Sequence, residues 1–295
     1  MRGLIYGDVR GSVYEWKPVE EQDSIKATPH FTDDTVLGAA VADALITCQE
    51  QDITDDEDVI RLVKEKLREY GLRHPDAGYS RSFQAWLKSD DPKPYGSKTN
   101  GALMRCTAAG WLAHSSEEAA RLGRLTAMPT HDHPEAMDAA ALAAEIIYRL
   151  RTGETAEAMY HLVNERYPVP RLEDIRPITE FDFSCKTTLP IAFAAFYEAV
   201  CLISLQQLSN AYPVVSKAVE NAISLGGDTD TNAAIAAAFA EAWRVSQTFG
   251  AEKTAGGKSA WYTDKACEQW ALPEVCCTPD IQEVIRRMDE AVAQF

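Results

Sequence analysis

The chain has 295 residues, with 45 acidic against 29 basic side chains and a net charge of −16. With no basic block to offset that charge, a general nucleic-acid binder is disfavoured. An anionic substrate would need help, which bound divalent cations could supply. The length permits one large domain or two small ones, and either way a sizeable core.

The cysteines at 48, 106, 185, 201, 267, 276 and 277 are odd in number and scattered, with no CxxC. Met1 to Tyr6 runs straight into a polar turn instead of a secretory leader. A reduced, cytoplasmic protein is expected. No apolar run approaches the roughly 20 residues of a membrane helix, so no membrane is expected.

In chain order, Gly3, Gly7 and Gly11 are spaced by four, which predicts a small-residue helix face packed against a neighbour. GxGxxG order and a preceding strand are both missing, so a dinucleotide fold is not supported. Asp8 lies within this face and needs a partner if buried. Glu15, just beyond it, is a candidate functional carboxylate. From Asp33 to Thr47, Val36, Leu37, Ala40, Val41, Ala44 and Leu45 recur at helical spacing. Asp56 to Tyr70 repeats the pattern, with Gly71 as its stop. Further helices are predicted near 81–88, 100–113, 116–128, 134–151, 155–166, 187–205, 210–224, 229–247 and 279–294.

Alternation of strand type is hard to find. The stretches 136–148 and 233–242 are Ala-rich, and Ala is a strong helix former whose small face lets helix axes approach. The expectation is all-α: one compact orthogonal helical bundle spanning 1–295, with no solenoid repeat. Gly250 to Thr278 is the least patterned part.

Chemistry concentrates in two blocks. Ser224 to Asn232 places Asp228, Thr229, Asp230 and Thr231 behind Gly226-Gly227 and ahead of an Ala-rich helix. Thr32-Asp33-Asp34-Thr35 repeats the composition and also opens a helix. Acidic and hydroxyl residues are ordinary helix caps. Capping needs only one oxygen, however, and the second block supplies four in a row. Carboxylate and hydroxyl oxygens are hard ligands suited to Mg²⁺, Mn²⁺ or Ca²⁺. Together the blocks predict one shared metal site, with two ions.

Gly96-Ser97-Lys98-Thr99-Asn100-Gly101 leads from loop into helix. Such a loop can offer backbone N–H groups to phosphate, although the Walker A spacing is absent. Thr130-His131-Asp132-His133-Pro134 invites zinc and metal-phosphohydrolase readings, but lacks further histidines at a matching spacing. One histidine donating a hydrogen bond, with Pro134 starting a helix, is the preferred reading.

Five segments, in this order, resemble the ADP-ribosylglycohydrolase family, which includes dinitrogenase reductase-activating glycohydrolases and serine-specific ADP-ribosyl hydrolases. They are GDVRGSVYE at 7–15, FTDDT at 31–35, NGALMR at 100–105, THDHPEA at 130–136 and GGDTDTNAA at 226–234. The resemblance implies an all-α fold with a two-Mg²⁺ or two-Mn²⁺ centre that cleaves the bond between the anomeric carbon of the distal ribose and an acceptor. It implies Thr32, Asp33 and Asp34 as one half of the metal centre and Asp228, Asp230 and Thr231 as the other, with Asp230 bridging. By the same resemblance Glu15 is the mobile-loop glutamate over the metals. Gly96, Ser97 and Lys98 belong to the phosphate loop, His131 contacts the ligand, and with Asn100 and Gly101 these are the substrate-binding residues it implies. The family usually has glycine where this chain has Thr99, and a small or apolar residue at Arg10. The Glu15 spacing fits the serine-specific and dinitrogenase-reductase branches better than the arginine-specific one.

The first functional expectation is a metal-dependent hydrolase releasing ADP-ribose from an ADP-ribosylated protein or small molecule, acting as a monomer. Glu15, Asp34 and Asp228 are its candidate proton-transfer groups. A catalytically inactive metal- or ADP-ribose-binding protein, or a crystallin-like structural one, is the second. A phosphohydrolase built on His131-Asp132 is the third.

Overall fold

In the computed structural model the described residues are 1–17, 19, 26–178, 181–206, 214–252 and 277–294. Most of the poorly patterned C-terminal stretch, including Gly256-Gly257, lies outside them. The helices are α1 (Arg2–Gly11), α2 (Asp33–Glu50), α3 (Asp56–Arg73), α4 (Arg81–Lys88), α5 (Gly101–Arg105), α6 (Thr107–Leu112) and α7 (Ser116–Ala127). They continue with α8 (Pro134–Arg151), α9 (Ala156–Arg166), α10 (Leu172–Ile175), α11 (Cys185–Gln206), α12 (Val214–Ile223), α13 (Thr229–Glu252) and α14 (Pro279–Val292). Among the described residues there is no strand, only an isolated bridge between Thr99 and Ser184. The all-α expectation is met.

Side-chain caps account for several helix starts. Asp55, Ser80, Ser115 and Thr155 each accept from a backbone N–H in the first turn of α3, α4, α7 and α9. Pro134 stands at the first position of α8, where its missing N–H costs nothing. Two boundaries depart from the pattern. Gly71 does not stop α3, which runs on to Arg73; there the missing side chain makes room for Leu87 of α4. The segment predicted as one helix over 100–113 is two, broken at Cys106, so that α5 and α6 each find their own packing direction.

The glycine face of α1 lies against α13. A Cβ on Gly3, Gly7 or Gly11 would overlap the backbone at Ala237, Ala233 or Thr229 respectively. Those three residues, at the same four-residue spacing, complement the glycines, and the two helices meet backbone to backbone. This contact delivers Asp8 beside the start of α13. The Ala-rich middle of α13 is wholly buried and contacts α1, α8, α11 and α12.

The buried apolar side chains form one contiguous cluster, drawn from both ends of the chain and the middle. One expectation needs correcting: α11 holds an 18-residue window, Cys185–Leu202, long and apolar enough by length and composition to cross a membrane. It packs against α8, α9, α12 and α13, and Phe193 and Phe196 are fully buried against Phe239 of α13. Its apolarity therefore serves the core.

Candidate metal centre

The two acidic blocks, almost 200 residues apart in sequence, meet where the N-termini of α2 and α13 converge beside the end of α1. Gly226 and Gly227 have φ of +75° and +73°, a left-handed entry that residues with a Cβ rarely adopt. That double turn brings Asp228 and Asp230 round to face Asp34. Thr229 points the opposite way and donates to Gly11 O at 2.9 Å, fastening the start of α13 to α1.

Asp8 is fully buried and saturated. It accepts from Thr32 N (2.9 Å), Thr32 Oγ1 (2.7 Å), Thr35 N (3.1 Å) and Thr35 Oγ1 (2.5 Å). The bonds clamp α1 onto the first turn of α2. They also commit the Thr32 hydroxyl hydrogen to Asp8, which leaves that oxygen only lone pairs to offer elsewhere.

The remaining carboxylates are far less satisfied. Asp34 Oδ2 accepts from Thr231 Oγ1 at 3.2 Å, while its buried Oδ1 has no hydrogen-bond partner among the described residues. Asp228 Oδ2 accepts from Asn100 Nδ2 at 2.5 Å, and Asp230 Oδ1 from the neighbouring Thr231 N at 2.9 Å. Carboxylate oxygens of Asp8, Asp34 and Asp230 lie within 4.8 Å of one another, as do those of Glu15, Asp228 and Asp230. Asp230 belongs to both groups.

Crowding without a counter-cation shows in the acidities. Burial first, then the charge of Asp230, pushes Asp33, Asp34 and Asp228 well above the ordinary aspartate value. The same causes raise Asp8 to about 6 and Glu15 to about 7. Arginine and lysine partners lie elsewhere, as where Lys66 and Arg287 hold buried Asp43 below the usual range. A buried carboxylate oxygen without a donor, in an all-oxygen set that repels itself, is what a hard divalent cation would satisfy. The residues fit such an ion.

These side chains form one wall of a cavity of about 450 Å³, within the range that small-molecule sites occupy. Glu15, Thr32, Asp33, Asp228, Asp230 and Thr231 line the acidic wall. Tyr95, Thr99, Gly101, Arg105 and His131 also line the cavity, and Asn100 ties the two walls together through Asp228. Near Glu15, Trp16 takes an uncommon φ of +62° and stacks on Phe181 at 4.4 Å, leaving Trp16 59% exposed.

Gly96, Ser97 and Lys98 stand outside the cavity lining. Several N–H groups of their loop are already engaged: Gly96 N with Asp132 Oδ1 (2.7 Å), Ser97 N with Thr130 O (3.4 Å), Thr99 N with Ser97 Oγ (3.3 Å) and Asn100 N with Phe183 O (2.6 Å). His131 is buried, with Nδ1 against Thr130 Oγ1 (2.7 Å) and Nε2 against Thr99 Oγ1 (3.1 Å). His133 Nδ1 accepts from Glu135 N and caps α8. With both ring nitrogens of His131 occupied and Asp132 holding the loop, these residues are not arranged as a metal site.

The ADP-ribosylglycohydrolase family model matches residues 1–243. The chain belongs to the ADP-ribosylglycohydrolase family. A solved structure described as an ADP-ribosylglycohydrolase-related protein complex is similar over 99% of this chain and 94% of its own, with a TM-score of 0.60 and 20% identity. That likeness shows the fold. Membership of the ADP-ribosylglycohydrolase family supports a glycohydrolase function, and the matched residues include both acidic blocks, Glu15 and His131.

The structure gives contacts to residues that the motifs name only by position. Asn100 directs its amide to Asp228 and to Thr188 Oγ1 (3.2 Å), so it serves the acidic wall. Arg105 is a fully buried guanidinium, and Thr99 joins His131 to Ser97. For Arg105 the signals are its place at the end of NGALMR and its charge within an apolar helix. Thr99 is marked in the sequence only as a departure from the family's usual glycine.

Proposed function

We propose that this chain is a divalent-metal-dependent hydrolase that cleaves the bond between the ribosyl anomeric carbon and an acceptor. It would release ADP-ribose from mono-ADP-ribosylated side chains, serine O-linked or arginine N-linked, or from related ADP-ribosyl compounds. The observation that carries the proposal is the convergence of Thr32-Asp33-Asp34 with Asp228-Asp230-Thr231 around a buried, unpaired carboxylate oxygen of Asp34. Family membership supports the reaction class.

Thr32, Asp33, Asp34, Asp228, Asp230 and Thr231 are the residues that would hold two Mg²⁺ ions, with Mn²⁺ as a substitute. When bound, such ions bring positive charge to the ribose hydroxyls and make an adjacent water more acidic. The chain's own groups do the rest. Departure of the acceptor builds oxocarbenium character at the anomeric carbon, which a carboxylate-lined wall favours. Glu15 is only partly buried and lines the cavity, with a carboxyl raised to about 7. That acidity suits it to exchange a proton with water or leaving group near neutrality. Asp228 is held in place by Asn100, Asp34 by Thr231, and the aromatic side chains of Trp16, Phe31 and Phe183 restrict water at the cavity walls.

The test is to incubate the chain with serine- and arginine-linked ADP-ribosyl peptides, with Mg²⁺ and then with chelator, and to measure free ADP-ribose. Chelator-sensitive release is expected, and the preferred peptide names the linkage. No release from either peptide, with no Mg²⁺-dependent binding of ADP-ribose, would overturn the proposal.

A further inference from the structure

Five of the six carboxylates at the acidic wall are served by a donor from another residue. Thr32 and Thr35 serve Asp8, Thr231 serves Asp34 and Asp230, Asn100 serves Asp228, and the Trp16 side chain serves Glu15. Asp33 is the exception. Among the described residues its own backbone N–H is the hydrogen bond that favours its charge. Carboxylates that ligate a metal are in turn hydrogen-bonded, and those neighbours orient them. A donor for Asp33 would complete the set.

The chain between α3 and α4 carries a side chain with the complementary deficit. Tyr79 is 4% exposed, and its buried hydroxyl has no hydrogen-bond partner among the described residues. Buried polar groups of this kind are uncommon, because nothing repays their loss of water. Asp33 is the charged group beside it. Burial, then the charge of Asp33, lifts the Tyr79 hydroxyl above the usual tyrosine range. A Cβ on the preceding Gly78 would lie 3.9 Å from Asp33 Oδ1, so this loop runs along that carboxylate.

The loop is also fixed. Gly78 takes φ +95°, a turn that favours glycine. Beyond it Tyr79 O accepts from Gln84 Nε2 at 2.8 Å, and Ser80 Oγ accepts from Phe83 N at 3.3 Å to cap α4. The Tyr79 ring packs on Phe83 with centroids 5.2 Å apart, and Phe83 stacks on Trp86 at 5.4 Å. A role in core packing accounts for the ring. It does not account for the hydroxyl, since phenylalanine would pack as well without an unpaired donor.

We infer that Tyr79 is a positioning residue of the metal centre: its hydroxyl is the donor for Asp33, holding that carboxylate so that it can present an oxygen to a cation. The bond belongs to the loaded centre, in which Asp33 is a charged acceptor. The inference rests on the metal-centre part of the proposed function, and not on the reaction or its substrate.

Tyr79→Phe keeps the ring against Phe83 and deletes only the hydroxyl. Mn²⁺ affinity is measured by calorimetry on wild type, Tyr79→Phe, Asp33→Asn and the double variant. Melting temperature in chelator is measured on the first two. Tyr79→Phe should bind Mn²⁺ about tenfold more weakly, the scale of lost support behind a metal ligand. In chelator it should melt no lower than wild type, because the hydroxyl it lacks had no partner to lose. On the Asp33→Asn background the same substitution should change Mn²⁺ affinity by less than about twofold, since its effect runs through Asp33. A merely structural tyrosine would do the reverse, lowering the melting temperature and sparing the affinity.

Wild-type Mn²⁺ affinity in Tyr79→Phe, a lower melting temperature in chelator, or a loss that persists on the Asp33→Asn background would overturn the inference while the metal centre stands. A wild type that binds no Mn²⁺ would overturn both. A wild type that binds Mn²⁺, with the expected Tyr79→Phe loss but no release of ADP-ribose, would support the inference and contradict the hydrolase reading alone.

Discussion

The two polar walls of the cavity solve opposite problems. On the His131 wall a buried cation, Arg105, spreads its bonds over carbonyls and a hydroxyl. On the acidic side Asp34 Oδ1 has no donor among the described residues, and burial, then the charge of Asp230, makes five carboxyls hold their protons more tightly. Among the described residues Arg105 Nη1 is the gap on the first wall and Asp34 Oδ1 the gap on the second, and a cation would fill only the second. Buried charges without counter-ions cost stability, so the acidic wall trades stability for binding capacity, and the His131 wall carries a cost of its own in buried Arg105.

The largest effect expected from breaking this contrast is at Asp230, which belongs to both carboxylate groups. Asp230→Asn should lower turnover by about 10²–10³-fold, the scale of a lost metal contribution. In chelator the same variant should melt above the wild type, because the repulsion that Asp230 imposes is gone. Thermal melts with and without Mn²⁺ read both signs, and a variant less stable than wild type in chelator would refute the crowding argument.

Next in size is Gly11→Ala. A Cβ there meets the backbone at Thr229 and Asp230, so α13 must move. Overpacking of this kind costs about 1–3 kcal/mol. Denaturant melts should show that loss together with weaker Mn²⁺ binding, since the displaced helix carries Asp230. A Gly11→Ala variant with wild-type Mn²⁺ affinity would separate the helix contact from the metal centre.

A smaller effect is set by pH. Asp8 moves from 3.8 to about 6 and Glu15 from 4.5 to about 7 on folding. A carboxyl whose folded value is raised binds its proton more tightly when folded, so its contribution is full below about pH 4. That contribution is lost as pH rises through 6 to 7, the folded values. Chelated protein should therefore melt lower at pH 8 than at pH 5, and added Mn²⁺ should raise the melting temperature more at pH 8. A chelated protein that grows more stable over this range would contradict the assigned shifts. The smallest effect is on the other wall, where Thr130→Val should cost about 1 kcal/mol and disturb the His131 tautomer with metal affinity unchanged.

How much of this was legible in the sequence follows from the range of the forces involved. Asp56–Arg73, with a one-sided apolar period behind its Asp55 cap, and Ala-rich Pro134–Arg151, opened by Pro134, were readable because their determinants are local. The glycine face of α1 announced a close helix neighbour, although only the fold identifies α13. Gly71 misled because a local stop and a tertiary contact with Leu87 look alike in sequence. Asp33, Asp34, Asp228 and Asp230 stood out through the repeated composition of two distant blocks. The contacts of Thr99 and Arg105 did not, since they exist only once the 130–131 turn is folded against the 96–101 loop.

The central claim is that two distant oxygen blocks make one two-cation centre, and titrating Mn²⁺ into chelator-treated protein by calorimetry tests it most directly. Two equivalents should bind the wild type, with at least one lost in Asp34→Asn. Absence of binding to the wild type, or identical titrations for the wild type and Asp34→Asn, would contradict the account.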